Sequence, residues 1–430
     1  MTQHRRFPRF AAGALAIPTV AALALTGCSS STSSSSTGGS KEFSLTFSTS
    51  NTIESPFQAL GEKYMETHPD VKITFNPQPN DSYDQTVRTQ LQAGNASDII
   101  VTSPGSGTGR SILPLVDAGF LEPLDDSAKE LVPVGSEALF GKDGKVYGQA
   151  PEITVVGLVS NETAAKAAGI SEFPEDFASL QDQCRDLQSA GKSLFALAGS
   201  APPNTGLMAM SLAATRVYAN DPKWNEKRAA NETTFAGTEG WKEALDAVVA
   251  MKDAGCFQKG AEGAGFDAIT KGLASGNAIA GFVPGPTWRQ IKSAAQDSDF
   301  AVRPFPAAES SDQGYLYASA NYSFSINAAS KNKEAAQAFL DWAAEPEQTK
   351  TFAEIDGALP VTGMDDYDFE GSAYKNVGDL LKDGKYGPLP NSQWPNSSVY
   401  DALATGVQGL LTGQKSSDDV LKAMDAAWGQ

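Results

Sequence analysis

Asp98-Ile-Ile-Val-Thr102 decides the fold class. The run is short and almost wholly apolar, as a strand covered on both faces of a parallel sheet must be. Just before it, Tyr83 to Ala93 has helical spacing and stops at Gly94. Val71-Lys-Ile-Thr-Phe75 reads as another strand. Ser55 to Thr67 places Phe57, Leu60, Tyr64 and Met65 on one helical face, and Glu42 to Phe47 alternates as a first strand. Strands alternating with helices predict an α/β fold with a parallel sheet.

Downstream the pattern continues with a short helix and turn at Asp117-Ala-Gly-Phe-Leu-Glu-Pro-Leu-Asp125. Lys142 to Gly148 predicts a hairpin, because Asp143-Gly144 favours a type I′ turn. Pro151 to Val159 is apolar and β-rich. A second α/β series then follows, with helices over 162–168, 175–190, 205–219 and 239–254 and strands at Ser193 to Ala198 and Ala278 to Val283. Helices over Lys331 to Ala344, Pro346 to Glu354, Val399 to Leu411 and Ser417 to Trp428 end the chain. For 430 residues this suggests two domains.

The N-terminus carries Arg5, Arg6 and Arg9, an apolar stretch from Ala11 to Leu25, then Leu25-Thr26-Gly27-Cys28. The apolar run is too short for a membrane span and is flanked as a signal peptide is. Leu-Thr-Gly-Cys resembles the bacterial lipobox. That resemblance implies cleavage of 1–27, diacylglyceryl modification of Cys28 and anchoring on the outer face of the cell membrane. Residues 28–40, rich in Ser, Thr and Gly, are then a flexible tether. Of the three cysteines, Cys184 and Cys256 remain. In an oxidising compartment a disulfide between neighbouring helices is expected, and no Cys-x-x-Cys points to redox work.

Six segments in order resemble the family 1 extracellular solute-binding proteins of ABC importers, the maltose-binding-like group. They are Asp117 to Asp125, Asp143-Gly-Lys-Val-Tyr-Gly-Gln-Ala-Pro151, Ala167-Ala-Gly-Ile-Ser-Glu-Phe-Pro-Glu-Asp-Phe177, Ala278-Ile-Ala-Gly-Phe-Val-Pro-Gly-Pro-Thr-Trp288, Ser325-Ile-Asn-Ala-Ala-Ser-Lys-Asn-Lys-Glu-Ala-Ala-Gln-Ala-Phe-Leu340 and Gly357-Ala-Leu-Pro-Val361. The resemblance implies a two-lobed fold with a ligand cleft between the lobes and three interlobe crossings, near 151–156, 300–304 and 356–361. One lobe would be 41–152 plus 304–357, the other 157–300 plus 360–430. It further implies a receptor, not an enzyme, that acts as a monomer, carries a sugar or glycoside to the importer's membrane subunits and needs no cofactor.

Sugar recognition needs flat aromatic faces for pyranose C–H groups, with amides, hydroxyls and carboxylates for its hydroxyls. Ligands in open α/β sheets lie beyond the C-terminal strand ends. Asn51 and Glu54 follow the first strand, Ser103 and Ser106 the third, and Asp81 and Tyr83 precede a helix. The same residue types also favour turns and caps. Trp288 falls where the family has a stacking Trp. Trp394, in the polar loop Asn391 to Asn396, resembles the family's late aromatic. Tyr317, Asn321 and Tyr322, in a stretch rich in Tyr, Ser and Asn, complete the candidates. Trp224, Trp241, Trp342 and Trp428 sit in helical patterns and read as packing. One departure stands out: Ser160 precedes Asn161 where many relatives carry Tyr, so the ligand could be smaller or not a sugar.

Charge excludes other classes. The chain holds 33 Lys+Arg against 51 Asp+Glu, a formal net charge of -18, which repels phosphate backbones and argues against nucleic acid. The two histidines, His4 and His68, rule out a His-based triad and a multi-His metal site. Paired acids such as Asp125-Asp126 could suggest a glycosidase, but adjacent side chains diverge. Receptors for a polyamine, peptide or polyol-phosphate remain as alternatives. Asp81, Asp84 and Glu54 are the acids a polyamine would use.

Overall fold

The computed structural model describes residues 41–49, 55–79, 82–133 and 136–429. In chain order the strands are β1 (Glu42–Thr49), β2 (Lys72–Pro79), β3 (Ile99–Thr102), β4 (Leu121–Glu122), β5 (Gly141–Lys142), β6 (Lys145–Val146), β7 (Thr154–Asn161), β8 (Ser193–Ala196), β9 (Ala278–Pro284), β10 (Phe300–Arg303), β11 (Leu316–Ser319), β12 (Ser323–Asn327) and β13 (Tyr386–Gly387).

The first sheet has the order β2-β1-β3-β12-β4. β1 runs parallel to β2 and β3, as the alternating pattern predicts. β12, arriving from far along the chain, is antiparallel to β3 and β4. The helix Pro56–Thr67 starts with proline at its first turn, where a missing N–H costs nothing. It buries Phe57, Leu60 and Tyr64 against this sheet, with Phe43, Leu45, Phe47, Phe324, Phe339 and Phe352 in the same core. Each such side chain contributes about 1.5–3 kcal/mol by leaving water.

The second sheet has the order β13-β11-β7-β9-β8, with β10 also on β7. It is mixed, which the helix-and-strand alternation did not predict. β7, buried at every residue, is antiparallel to β9, β10 and β11. Trp224, Phe235, Trp241 and Trp394 centre the core on one face. Ile153, Val155, Leu359, Phe369 and Tyr374 pack on the other. Cys184 and Cys256 are disulfide-bonded and buried in the core around Trp241. The helix bearing Cys184 begins with a capping box from Asp176 and Ser179. The hairpin β5/β6 forms with Asp143 and Gly144 both at positive φ.

The chain passes between sheets close to an antiparallel bridge, in which Ile153 and Leu359 exchange both backbone hydrogen bonds, 2.8 and 3.1 Å. The remaining passage lies between Ser319 and Ser323. Residues 304–319, expected with the first lobe, carry β11, which pairs with β7 instead. The expected passage near 300–304 therefore belongs inside the second sheet, where β10 is held against β7.

Candidate ligand-binding cleft

Segments that follow β3 in the first sheet and β13 in the second meet the passage at Ser319 to Asn321 around one cleft. On the first-lobe wall, the loop after β3 turns back on itself: Ser103 N–H donates to Arg110 O, and Ile112 N–H to Ser103 O. Arg110 Nε donates to Ser103 Oγ at 2.8 Å. The guanidinium lies over the rings of Tyr83 and Tyr322, at 5.2 and 5.4 Å. Hydrogen bonding and cation–π attraction fix this cation in place. Asp84, 3.7 Å from Arg110 Nε, also accepts the Gly109 N–H.

A cavity of about 70 Å³ opens beside it, lined by Ser103, Thr108, Arg110 and Ser136 from one side, Asn321 at the floor, and Asn391 from the other. These hydroxyl, amide and guanidinium groups are donors and acceptors suited to a polar solute.

Deeper in the floor are two carboxyls from different passages. Glu152 is fully buried. Thr154 Oγ1 donates to both its oxygens, at 2.8 and 3.0 Å, and the Asn321 backbone N–H donates as well. Burial first, then the neighbouring Asp356, pushes the Glu152 carboxyl well up. Burial also lifts Asp356 to about 7, against the opposing pull of Arg289. Beside them, Trp288 Nε1 and the Tyr374 hydroxyl both donate to the Gly357 carbonyl, at 2.9 and 2.8 Å. No group of His, Cys, Asp and Glu among the described residues is arranged to hold a metal ion.

The residues singled out from sequence separate here. Ser103 and Asn321 line the cavity. Tyr322 is partly buried between Arg110 and Phe57. Trp288 is partly buried and tied by its indole N–H to the floor. Ser106 spends its hydroxyl on the Trp394 carbonyl, at 2.5 Å.

Three expected ligand contacts are corrected. Trp394 is 0% exposed, packed on Phe235 and Trp241, with Nε1 on Asn225 Oδ1. Its polar loop folds inward, so the ring is core. Tyr83 is equally buried, its hydroxyl donating to Val101 O at 2.8 Å beneath the first sheet. Tyr317 sits in the second core with its hydroxyl on Met210 O. Asn51, Glu54, Asp81 and Cys28 lie outside the described residues. Arg110, Asn391, Glu152 and Asp356 went unnoticed among the candidates, because a charged or amide residue carries no local signal that distant segments will bury it together.

The sequence profile for bacterial extracellular solute-binding proteins matches residues 48–350. The chain belongs to that family. The solute-binding family is one of binding proteins, not enzymes. A candidate binding protein of Brucella abortus (strain 2308) is 24% identical over 382 residues, 86% of this chain and 88% of its own. The maltotriose-binding protein of Pyrococcus abyssi is 28% identical over 131 residues, 29% of this chain and 26% of its own. The fold matches the solute-binding protein RafE in complex with raffinose, with TM-score 0.72 at 17% identity over 90% of this chain and 98% of that one. It also matches a solute-binding protein of Thermotoga lettingae TMO bound with α-D-tagatose, with TM-score 0.74 at 15% identity over 90% and 99% of the two chains.

Proposed function

We propose that this solute-binding protein is the receptor lipoprotein of an ABC importer and that its cargo is a carbohydrate. The observation that carries the reading is the cavity between the lobes, where Ser103, Arg110, Asn321 and Asn391 converge from both walls and the floor. Such groups take sugar hydroxyls in pairs. The relatives that bind maltotriose, raffinose and tagatose support the same class of cargo. We place the first lobe at 41–152 with 323–357 and the second over the rest of the folded chain. The lobes hinge on the passages at Ile153, Asn321 and Leu359. Cys28, lipidated after removal of 1–27, anchors the body through the 28–40 tether, and the membrane subunits of the importer receive the closed form.

A polyamine cargo fits less well. Glu152 and Asp356 are both pushed toward their neutral forms, and Arg289 stands beside Asp356, so the floor does not attract a polycation.

The test is a thermal-shift screen of the chain against mono- and oligosaccharides, polyamines, peptides and amino acids. A bound solute raises the melting temperature by mass action. Stabilisation by sugars alone is the expected result. Stabilisation by polyamines or peptides alone would overturn the carbohydrate assignment.

A further inference from the structure

Opposite walls of the cleft touch each other directly, backbone to backbone. The Ser106 N–H donates to the Ser392 carbonyl at 2.9 Å, and Ser106 Oγ donates to the Trp394 carbonyl. On either side of Ser106 stand Gly105 and Gly107. A Cβ on Gly105 would lie 1.9 Å from Ser392 O, and one on Gly107 would lie 1.9 Å from Asn391 O. No side chain fits at either place, and Gly105 also holds φ +75.

Both halves of the contact are anchored in their own lobes before they meet. Gly105 N–H donates to Leu139 O at 2.7 Å, and Leu113 N–H returns a bond to Gly105 O at 3.0 Å. Across the cleft, Asn225 Nδ2 donates to Pro390 O at 3.0 Å and to Gln393 Oε1 at 2.8 Å, fixing the turn Pro390–Gln393. Two such surfaces need no rearrangement to dock, so little ordering cost opposes their contact.

Asn391 adds an observation of a different kind. It is only 9% exposed and, with Gly107 and Ser392, lines the cavity, so the contact between the lobes is also one wall of that cavity.

We infer that Gly105–Gly107 and Asn391–Ser392 form a latch that holds the lobes against each other, bounds the cavity on that side and so limits the length of the solute it takes. The cavity lies between this latch and the floor at Ser319 to Asn321. On the side of the latch it is therefore walled by backbone, and the solute it selects is short. That the solute is a sugar rests on the carbohydrate reading above; the latch itself does not.

Hydrogen exchange on the full chain tests the latch without a ligand. In Gly107→Ala, exchange in the segments 103–110 and 389–394 should rise together by about tenfold, the factor corresponding to roughly 1.4 kcal/mol of lost closure. Protection of β1, β3 and β9 should hold. Unchanged exchange in both segments overturns the latch. If Gly107→Ala also loses strand protection, Ser106→Ala decides, since it removes only the bond to Trp394 O; exchange unchanged there overturns the latch as well. In a second arm the wild-type chain is titrated with D-tagatose, raffinose and stachyose. The latch predicts that affinity falls by tenfold or more from the shortest sugar to the longest. Equal affinity for stachyose and tagatose overturns the wall. If none of the three binds, the thermal-shift screen decides the carbohydrate reading and exchange alone decides the latch.

Discussion

Trp288 and Gly357 are joined by a 2.9 Å hydrogen bond from the indole Nε1 to the carbonyl oxygen, tying a second-lobe helix to an interlobe passage. Gly357 sits at φ +82, and a Cβ there would lie 2.9 Å from Arg289 Cβ. Trp288→Phe keeps the ring and removes the donor. It should cost about 1 kcal/mol, the usual net value of one such bond, because the Tyr374 hydroxyl still satisfies the carbonyl. Gly357→Ala should cost more, about 1–3 kcal/mol, from left-handed backbone strain and contact with Arg289. Urea denaturation of both variants checks the order. Equal stability of Gly357→Ala and wild type would contradict the described passage.

Glu152 and Asp356 should make the folded state prefer acid. Both carboxyls are raised by burial, and Glu152 is further disfavoured as an ion by the neighbouring Asp356. A raised folded value means that the native state binds more protons than the unfolded chain between the two values. Their contribution is therefore fully present below about pH 4, the ordinary carboxylate range. It is lost as pH rises through about 7, where Asp356 titrates. Arg289 faces Asp356, and the hydroxyls of Tyr322 and Tyr374 face the pair, with Arg110 on Tyr322. Glu152→Gln and Asp356→Asn should lose this pH dependence. The measurement is the difference in urea midpoint between wild type and each variant at pH 4.5 and 7.5. A gap that does not change with pH would refute the assignment.

Trp394→Ala should destabilise by about 3–5 kcal/mol, as emptying a large aromatic site in a core does. The ring contacts Phe235 and Trp241 and holds Asn225, which in turn fixes the turn bearing Asn391. Solute affinity should fall with stability, since the latch turn loses its support. A variant with wild-type stability and weakened binding would restore Trp394 to the ligand surface.

Periodicity made much of the architecture legible. The helix Tyr83–Ala93 ends at Gly94 as its spacing and stop signal indicate, and β3 falls within Asp98 to Thr102. The mixed second sheet was not legible, because β7 is equally apolar whichever way its neighbours run. Residue type misled at the site for a related reason. Trp394 stands among polar neighbours in sequence, and Tyr83 and Tyr317 are types that sugars stack on, yet all three hydroxyl or indole groups find partners inside the cores. The acid pair was invisible, since Glu152 and Asp356 meet only because two passages cross side by side at Ile153 and Leu359.

The Cys184–Cys256 bond links the helix Phe177–Ser189 to the segment after the helix Glu239–Asp253. It closes 72 residues of chain, which include β8 and much of the second core. Restricting that loop in the unfolded chain should stabilise the protein by roughly 4 kcal/mol on the chain-entropy account. Both sulfurs are buried, so a mild reductant should leave the native protein intact, and reduction should follow unfolding. The double variant Cys184→Ala with Cys256→Ala should show a lower urea midpoint than wild type, with the first sheet's exchange protection unchanged. Mass spectrometry of a non-reduced digest should recover the two peptides linked. Recovering them as free thiols would remove the bond from the folded chain, and the second lobe would then hold together on its aromatic core alone.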